Sequence, residues 1–397
     1  MEKIPEWFHG MSDRHRNVTI AASCALSMVL GSIHAFSVFI PQWERLPGAD
    51  RASVSLIYSL ALVSLTIAVL FGYHLYQRFS PVVIFVLAGV VAALGLYLSA
   101  DSSSLVSLYI TYGLVFGGAN GIGYGYALQL SGQAAPSFRG LAMGLVTAFY
   151  AVGATASPFL FVFLIRHGGN DLALTVMSAI VLLVAVVAAA LVRWANADFE
   201  SEPASAIQTL SPALKRSRML LWVGYGSAVT AGLMVLGHAF GIATWMGLDA
   251  NSATWATTVV AFGNMLGGFS AGYFADRLSS RTLLRWLPLF TSVGLTLLIC
   301  PVAVEQIVVF IALGLIGYCY GAIIAVYPVA VVDVFGTLAA PRIYGQVFTA
   351  WGLAGLVGPW SSGWMYDQTD SYTVAILIAG LLSVVSIVAI WTNREPV

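Results

Sequence analysis

The sequence predicts an all-α integral membrane protein with twelve transmembrane helices arranged as two pseudo-symmetric six-helix bundles. Three observations carry that expectation. Only 9% of the 397 residues are charged, against about a quarter in soluble domains. Apolar stretches of the length that crosses a bilayer, about 20 residues, recur along the chain with short polar breaks between them. The longest polar break falls in the middle of the chain, and residues before it are echoed after it.

The apolar runs fall at 17–41, 52–76, 80–100, 104–131, 140–165, 172–194, 219–247, 253–275, 282–303, 305–332, 343–366 and 371–391. The N-terminal MEKIPEWFHGMSDRHR leads directly into a full-length run, without the short apolar region and small-residue site of a cleaved signal. The first helix is therefore expected to stay in the mature protein. The segment from Trp194 to Arg218 is the long break, so the expected organisation is a bundle over 1–194, a linker over 195–217 and a second bundle over 218–397.

Basic residues set the expected orientation. With the N-terminus inside, fourteen lie on the inner side: Lys3, Arg14, Arg16, Arg78, Arg139, Arg193, Lys215, Arg216, Arg218, Arg277, Arg281, Arg285, Arg342 and Arg394. Arg45, Arg51 and Arg166 lie outside. Both termini are then cytoplasmic, in a plasma membrane (the inner membrane of a bacterium). The same count assigns every charged residue to a loop or helix end. Charges at mid-membrane depth mark ion and substrate paths; without them, neutral polar groups and histidines become the candidates.

Composition excludes a cytosolic enzyme, and 17 basic against 17 acidic residues without a basic tract exclude a nucleic-acid binder. Cys24, Cys300 and Cys319 sit singly in apolar runs, so neither a metal centre nor a disulfide framework is expected. No phosphate-loop motif is present and no cofactor is expected.

The two halves echo one another. GYHLYQRFS at 72–80 resembles GYFADRLSS at 272–280, and His-Ala-Phe occurs at 34–36 and 238–240. Gly144, Tyr150 and Pro158 recur 201 positions later as Gly345, Trp351 and Pro359. On these residues the sequence resembles the major facilitator superfamily. GYFADRLSSR, with Gly272, Asp276, Arg277 and Arg281, is similar to its loop signature between the second and third helices of a bundle; the first-half copy has Gln77 where the acid belongs. GSIHAFSVFIPQWE at 31–44, GIGYGYALQLSGQAAPSFRGLAMG at 121–144, GLMVLGHAFGIA at 232–243 and GYCYGAIIAVYP at 317–328 resemble the oxalate:formate antiporter and monocarboxylate transporter branch. That branch carries basic residues in its eighth and eleventh helices, where this sequence has Gly268 and Trp351. A dicarboxylate without a counter-charge would bear a large desolvation cost, so this departure from the branch argues against a doubly charged substrate.

Small residues at every fourth position let membrane helices approach closely, and Gly113, Gly117, Gly121 and Gly125 form such a ladder on the fourth helix. His34 and His238 sit in the first and seventh helices, which in this superfamily line the central cavity. Imidazole titrates near pH 6.5 and can bind a weak anion when protonated; the alternative is a neutral ring bonded to a neighbouring helix. The expected substrate-binding set is His34, Asn120, Tyr124, Gln129, Tyr150, His238, Asn264, Tyr320 and Trp351, with Tyr126, Tyr318 and Tyr327 as further polar aromatics. Asp276, Arg277, Arg281, Asp333 and Arg342 form the expected gate, as the resemblance implies for this loop.

The function these residues imply is a secondary transporter of a small organic solute, a monocarboxylate or similar weak anion, moved by proton-linked transport or exchange with alternating access. Its expected partners are that solute, protons and the lipid bilayer, and the working unit is a monomer. A neutral solute stays open, as does Cu(I), for which Met234 and His238 supply soft ligands, and so does a non-transporting sensor with the same fold. No nucleophile–base pair points to an enzyme.

Overall fold

The computed structural model describes residues 13–201, 210–300 and 305–393. Lys3 and Arg394 of the orientation argument and positions 202–209 of the linker lie outside the described residues. Among them there is no strand. The helices are α1 (Asp13–Trp43), α2 (Arg51–Tyr76), α3 (Pro81–Ala100) and α4 (Leu105–Ala134). α5 (139–167) and α6 (170–194) follow, then α7 (Pro212–Leu236), extended by the short helix Ala239–Trp245. α8 (Ala250–Leu278), α9 (Ser280–Ile299), α10 (Gln306–Phe335), α11 (Ala340–Thr369) and α12 (Thr373–Thr392) complete the twelve.

Nine segments of the described chain are both long and apolar enough to cross a membrane. The shortfall from twelve has two physical causes. α5 and α6 form one continuous segment, broken only where Gly168 (φ −162°, ψ 25°) and Gly169 (φ 69°, ψ −169°) leave helical geometry; the positive φ at 169 suits glycine. α8 and α11 are rich in glycine and in small polar side chains, so they fall short on apolarity, not on length. Described charged residues all lie outside helices or within about two turns of a helix end. Exposed Leu94, Val106, Ile110, Leu381 and Val388 present apolar surface outward, as lipid contact requires.

The chain divides into two compact units. Residues up to 142 with 149–203 and 337–345 form the first; 143–148, 204–336 and 346–397 form the second. In the first unit, the glycine ladder of α4 lies against α2. A Cβ at Gly113 would stand 3.0 Å from Leu60 Cβ, one at Gly117 would meet the Ala61 backbone, and one at Gly121 would collide with the Leu65 carbonyl. The ladder is a packing device. In the second unit α8 and α10 achieve the same approach with glycines on both helices: Gly263 and Gly267 face Gly314 and Tyr318, while Gly317 and Gly321 face Val260 and Asn264.

The start of the linker is held in the first unit. The Gln133 side chain donates to the Glu200 carbonyl (2.6 Å) and accepts from its N–H (3.1 Å). Phe199 packs its ring 4.8 Å from Tyr126.

Candidate functional site

α1 does not run as a plain α-helix through the first unit. From Gly31 to Phe39 it tightens to 3₁₀ geometry, while Tyr109–Phe116 of α4 widens to π geometry. Such departures inside long helices mark functional or strained segments. Side chains from other helices meet carbonyls along the tightened stretch. Asn120 Nδ2 donates to the Leu30 carbonyl (2.6 Å), Tyr112 Oη to that of Ile33 (3.3 Å), and Asn170 Nδ2 to that of Phe39 (3.0 Å). Gly31 makes the crossing with α5 possible, since a Cβ there would collide with the Tyr150 carbonyl.

His34 projects from this stretch. Its Nδ1 lies 2.7 Å from Tyr58 Oη on α2, and its ring stands edge-on to Tyr150 of α5 at 5.4 Å. Tyr150 Oη donates to Asn120 Oδ1 (3.0 Å), and Tyr124 packs its ring 4.7 Å from that of Tyr150. Asn120 is fully buried and therefore needs both its bonds. His34, Tyr58, Asn120, Tyr124 and Tyr150 thus form one connected group drawn from α1, α2, α4 and α5. A tyrosine hydroxyl both gives and accepts, so His34 Nδ1 keeps its hydrogen bond in either protonation state. Gln129 does not join the group. It is buried nine residues beyond Asn120, about 13 Å along α4, and its Nε2 has no hydrogen-bond partner among the described residues.

The second unit pairs Trp351 with Tyr320, the indole N–H pointing at the hydroxyl across 3.4 Å, and Phe348 stacks on the indole at 5.0 Å. This is the counterpart of the Tyr124–Tyr150 contact, because GIGYG at 121–125 aligns with GYCYG at 317–321 and Tyr150 aligns with Trp351. The Tyr320 ring covers Gly232, where a Cβ would stand 2.7 Å away. Asn264 sits beside Tyr320's neighbour Gly321, whose Cβ would be 2.5 Å from Asn264 Oδ1.

His238 occupies a different place. The expected continuous seventh helix breaks at Gly237–His238 before resuming at Ala239. His238 Nε2 lies 2.9 Å from the Pro359 carbonyl and Nδ1 lies 3.2 Å from Tyr372 Oη. A carbonyl only accepts, so Nε2 carries the proton, and in the neutral ring Nδ1 accepts from tyrosine. The depth differs too. Gly31 meets Tyr150 and Ala154, whereas on α7 it is Gly226 that meets Ala350. With the 201-residue offset between α5 and α11, the α7 position level with His34 is near Gly232. His238 lies about six residues, or about 9 Å, farther along. The repeated His-Ala-Phe triplet therefore places its two histidines in the same helix of each half but at different depths.

The expected gate residues gather mostly at one end of the second unit. Ser280 Oγ donates to Asp333 Oδ2 (2.5 Å), and the Arg281 guanidinium donates to the Asn393 carbonyl. Asp276 and Arg277 are exposed at the end of α8, with Arg277 stacked over Tyr273 at 3.5 Å. Arg342 lies in the first unit, 5.3 Å over the Tyr73 ring. Sequence reasoning missed Tyr58 and Tyr372, the hydroxyl partners of the two histidines. Both are far from them in sequence, and no local motif marks either.

Comparisons with known proteins agree with this architecture. The Major Facilitator Superfamily profile matches residues 19–248 and 227–397. The uncharacterized MFS-type transporter YhjX of Escherichia coli is 25% identical over 349 residues, 86% of either chain. Monocarboxylate transporter 13 of Rattus norvegicus is 25% identical over 370 residues, 91% of this chain and 85% of that one. Human monocarboxylate transporter 11 is 26% identical over 387 residues, 92% and 80% of the two chains. Among solved structures, FucP in the outward conformation superposes with a TM-score of 0.74 at 15% identity, covering 96% of this chain and all of that one. The proton:xylose symporter XylE gives 0.73 at 13% identity, covering 97% of each; both likenesses concern the fold. With the family profile matched in both halves and twelve helices in place, this chain belongs to the major facilitator superfamily.

Proposed function

We propose that the chain is a secondary transporter of a monocarboxylate or similar weak organic anion, working as a monomer in the plasma membrane with both termini cytoplasmic, and not an enzyme. Transport is proton-linked or by exchange. The observation that carries the substrate class is the similarity to monocarboxylate transporters 11 and 13 along about nine-tenths of the chain. The residues are consistent with it. A singly charged anion asks for one counter-charge, and His34 offers a protonatable ring braced by the Tyr58 hydroxyl and the Tyr150 ring. Asn120, Tyr124, Tyr320 and Trp351 supply hydrogen bonds and aromatic walls in the two units. We assign Asp276, Arg277, Arg281, Asp333 and Arg342 to the control of access at the cytoplasmic ends.

The Cu(I) alternative is the weaker fit, since Met234 is packed in an apolar core with Val235 and Ile242, and both His238 nitrogens face protein partners.

The test is uptake of labelled lactate, propionate and benzoate into proteoliposomes with an imposed pH gradient. Wild-type protein is expected to accumulate at least one of them, faster when protons accompany it or when a trans-anion is supplied. His34→Gln is expected to lower the rate at least about a hundredfold and flatten its pH profile, the scale of one lost acid–base group. Wild-type rate and pH profile in His34→Gln would remove His34 from the mechanism. No carboxylate uptake by wild type, with uptake of the matching amides, would replace the anion by a neutral solute.

A further inference from the structure

We propose that Arg218 anchors the carboxylate of the transported solute in a loading pocket at the N-terminal end of α7, with the solute's apolar body against Trp222 and Met219. This inference rests on the transport reading above and names the group that recognises the anion on one face.

The pocket belongs to the second unit. It has a volume of about 480 Å³ and is lined, among the described residues, by Arg218, Met219, Trp222 and Gln346. That volume lies within the range of small-molecule sites, about 300–1,000 Å³. Its chemistry is specific: one cation, one indole, one thioether and one amide.

The walls are fixed by α11. Arg218 Nη1 donates to Gln346 Oε1 at 2.6 Å. The Trp222 indole N–H donates to Thr349 Oγ1 at 2.8 Å, and the Thr349 hydroxyl donates in turn to the Gln346 carbonyl at 2.7 Å. Arg218 and Trp222 are thus held in place before any solute arrives, which reduces the ordering cost of binding.

Arg218 is half-buried, and its bond to Gln346 goes to a neutral acceptor. Among the described residues no carboxylate forms an ion pair with Arg218. A guanidinium carries five N–H donors in a planar fork. The amide uses one and leaves the pairing geometry that matches a carboxylate's two oxygens. A solvated arginine serving only to orient the chain has no need of a half-buried amide partner or a shaped cavity.

Selectivity follows from the same lining. With one cation among the described lining residues, a dicarboxylate would leave its second charge uncompensated. The pocket favours singly charged acids with an apolar or aromatic body. Gln346 precedes Trp351 on α11 by five residues, about 7.5 Å, so an anion held at Arg218 lies close along that helix to the Trp351–Tyr320 pair.

The test uses full-length purified protein as wild type, R218Q, R218K, W222F and R216Q. Arg216 is exposed nearby and lies outside the described lining, so R216Q makes the same charge change without touching the pocket. Thermal stabilisation is titrated with lactate, benzoate and succinate, and with lactamide and benzamide as uncharged matches. Wild type and R216Q are expected to respond to the monocarboxylates more than to the amides or succinate. R218Q is expected to need at least about tenfold more monocarboxylate for the same shift, the scale of one lost charge-assisted hydrogen bond. R218K is expected to fall between, since an ammonium lacks the fork.

Should R218Q be too unstable, W222F reports independently: benzoate is expected to change tryptophan fluorescence in wild type and not in W222F. Wild-type titrations in R218Q, or an unchanged fluorescence response in W222F, overturn the loading pocket while leaving the transport reading intact. A wild-type protein that answers the amides and none of the carboxylates overturns the transport reading and this pocket with it.

Discussion

Asn120 is the hinge pin of the first unit's polar group, and its removal has a calculable cost. Its side chain is fully buried, donates to the Leu30 carbonyl at 2.6 Å and accepts from Tyr150 Oη at 3.0 Å. Hydrogen bonds between membrane helices average about 0.6 kcal/mol each and reach about 1.7. Two lost bonds give about 1.2–3.4 kcal/mol for Asn120→Ala, with the small cavity adding to the upper end. Tyr150→Phe removes the bond to Asn120 alone, about 0.6–1.7 kcal/mol. The bond between the two side chains is shared, so the double variant should cost less than the sum of the singles by about that bond's value. The assay is unfolding in mixed detergent micelles, with the free energy of each variant obtained from the same transition. Strict additivity, or an Asn120→Ala protein as stable as wild type, would refute the connected group. The cycle isolates the contact from any general weakening of α4, because that weakening enters both Asn120 variants equally.

Adjacent glycines of α4 make a second test. Gly117→Ala forces a methyl into the Ala61 backbone and is expected to cost about 1–3 kcal/mol, whereas Gly118, with nothing within 4 Å of its Cβ position, should accept alanine with a gain of about 0.5–1 kcal/mol; melting temperatures of the pair decide it. Asp50 caps α2, and bonds from the Ser53 hydroxyl and then the Ser53 N–H hold its carboxyl below the usual range. A carboxyl depressed in the folded state stabilises above its unfolded value, near pH 3.9, and that contribution fades as pH falls through the lower folded value. Asp50→Ala should therefore melt earlier than wild type at pH 7 and converge with it in strong acid; a gap that persists there would locate the effect elsewhere. His238→Ala loses bonds to Pro359 and Tyr372 and should lower the melting temperature while leaving the pH profile of uptake per folded molecule unchanged, which uptake normalised to folded protein measures.

Helix count, order and the packing role of the α4 glycines were legible because each rests on local pattern: run length, polar breaks and four-residue spacing. The interruptions were not. Nothing in GSIHAFSVF announces 3₁₀ geometry, which is stabilised by donors from Tyr112, Asn120 and Asn170, residues 79 or more positions away from the carbonyls they meet at Ile33, Leu30 and Phe39. The break at Gly237–His238 was hidden inside an uninterrupted apolar run for the same reason. Half of each histidine pair was found and half missed. An imidazole in an apolar helix stands out, whereas Tyr58 and Tyr372 are ordinary aromatics until the fold brings their hydroxyls to Nδ1.

The repeated triplet shows how a sequence repeat and a structural repeat diverge. The tyrosine–aromatic contact survives duplication: Tyr124 with Tyr150 in one unit, Tyr320 with Trp351 in the other. The histidine does not survive at the same level, for near its depth on α7 stands Gly232, and the Tyr320 ring fills the space a side chain would take. A side chain at 232 would bring its Cβ to within 2.7 Å of that ring, so the Tyr320 ring would have to shift to admit one. Each unit thus keeps the aromatic contact, while the imidazole that stands edge-on to it belongs to the first unit's group.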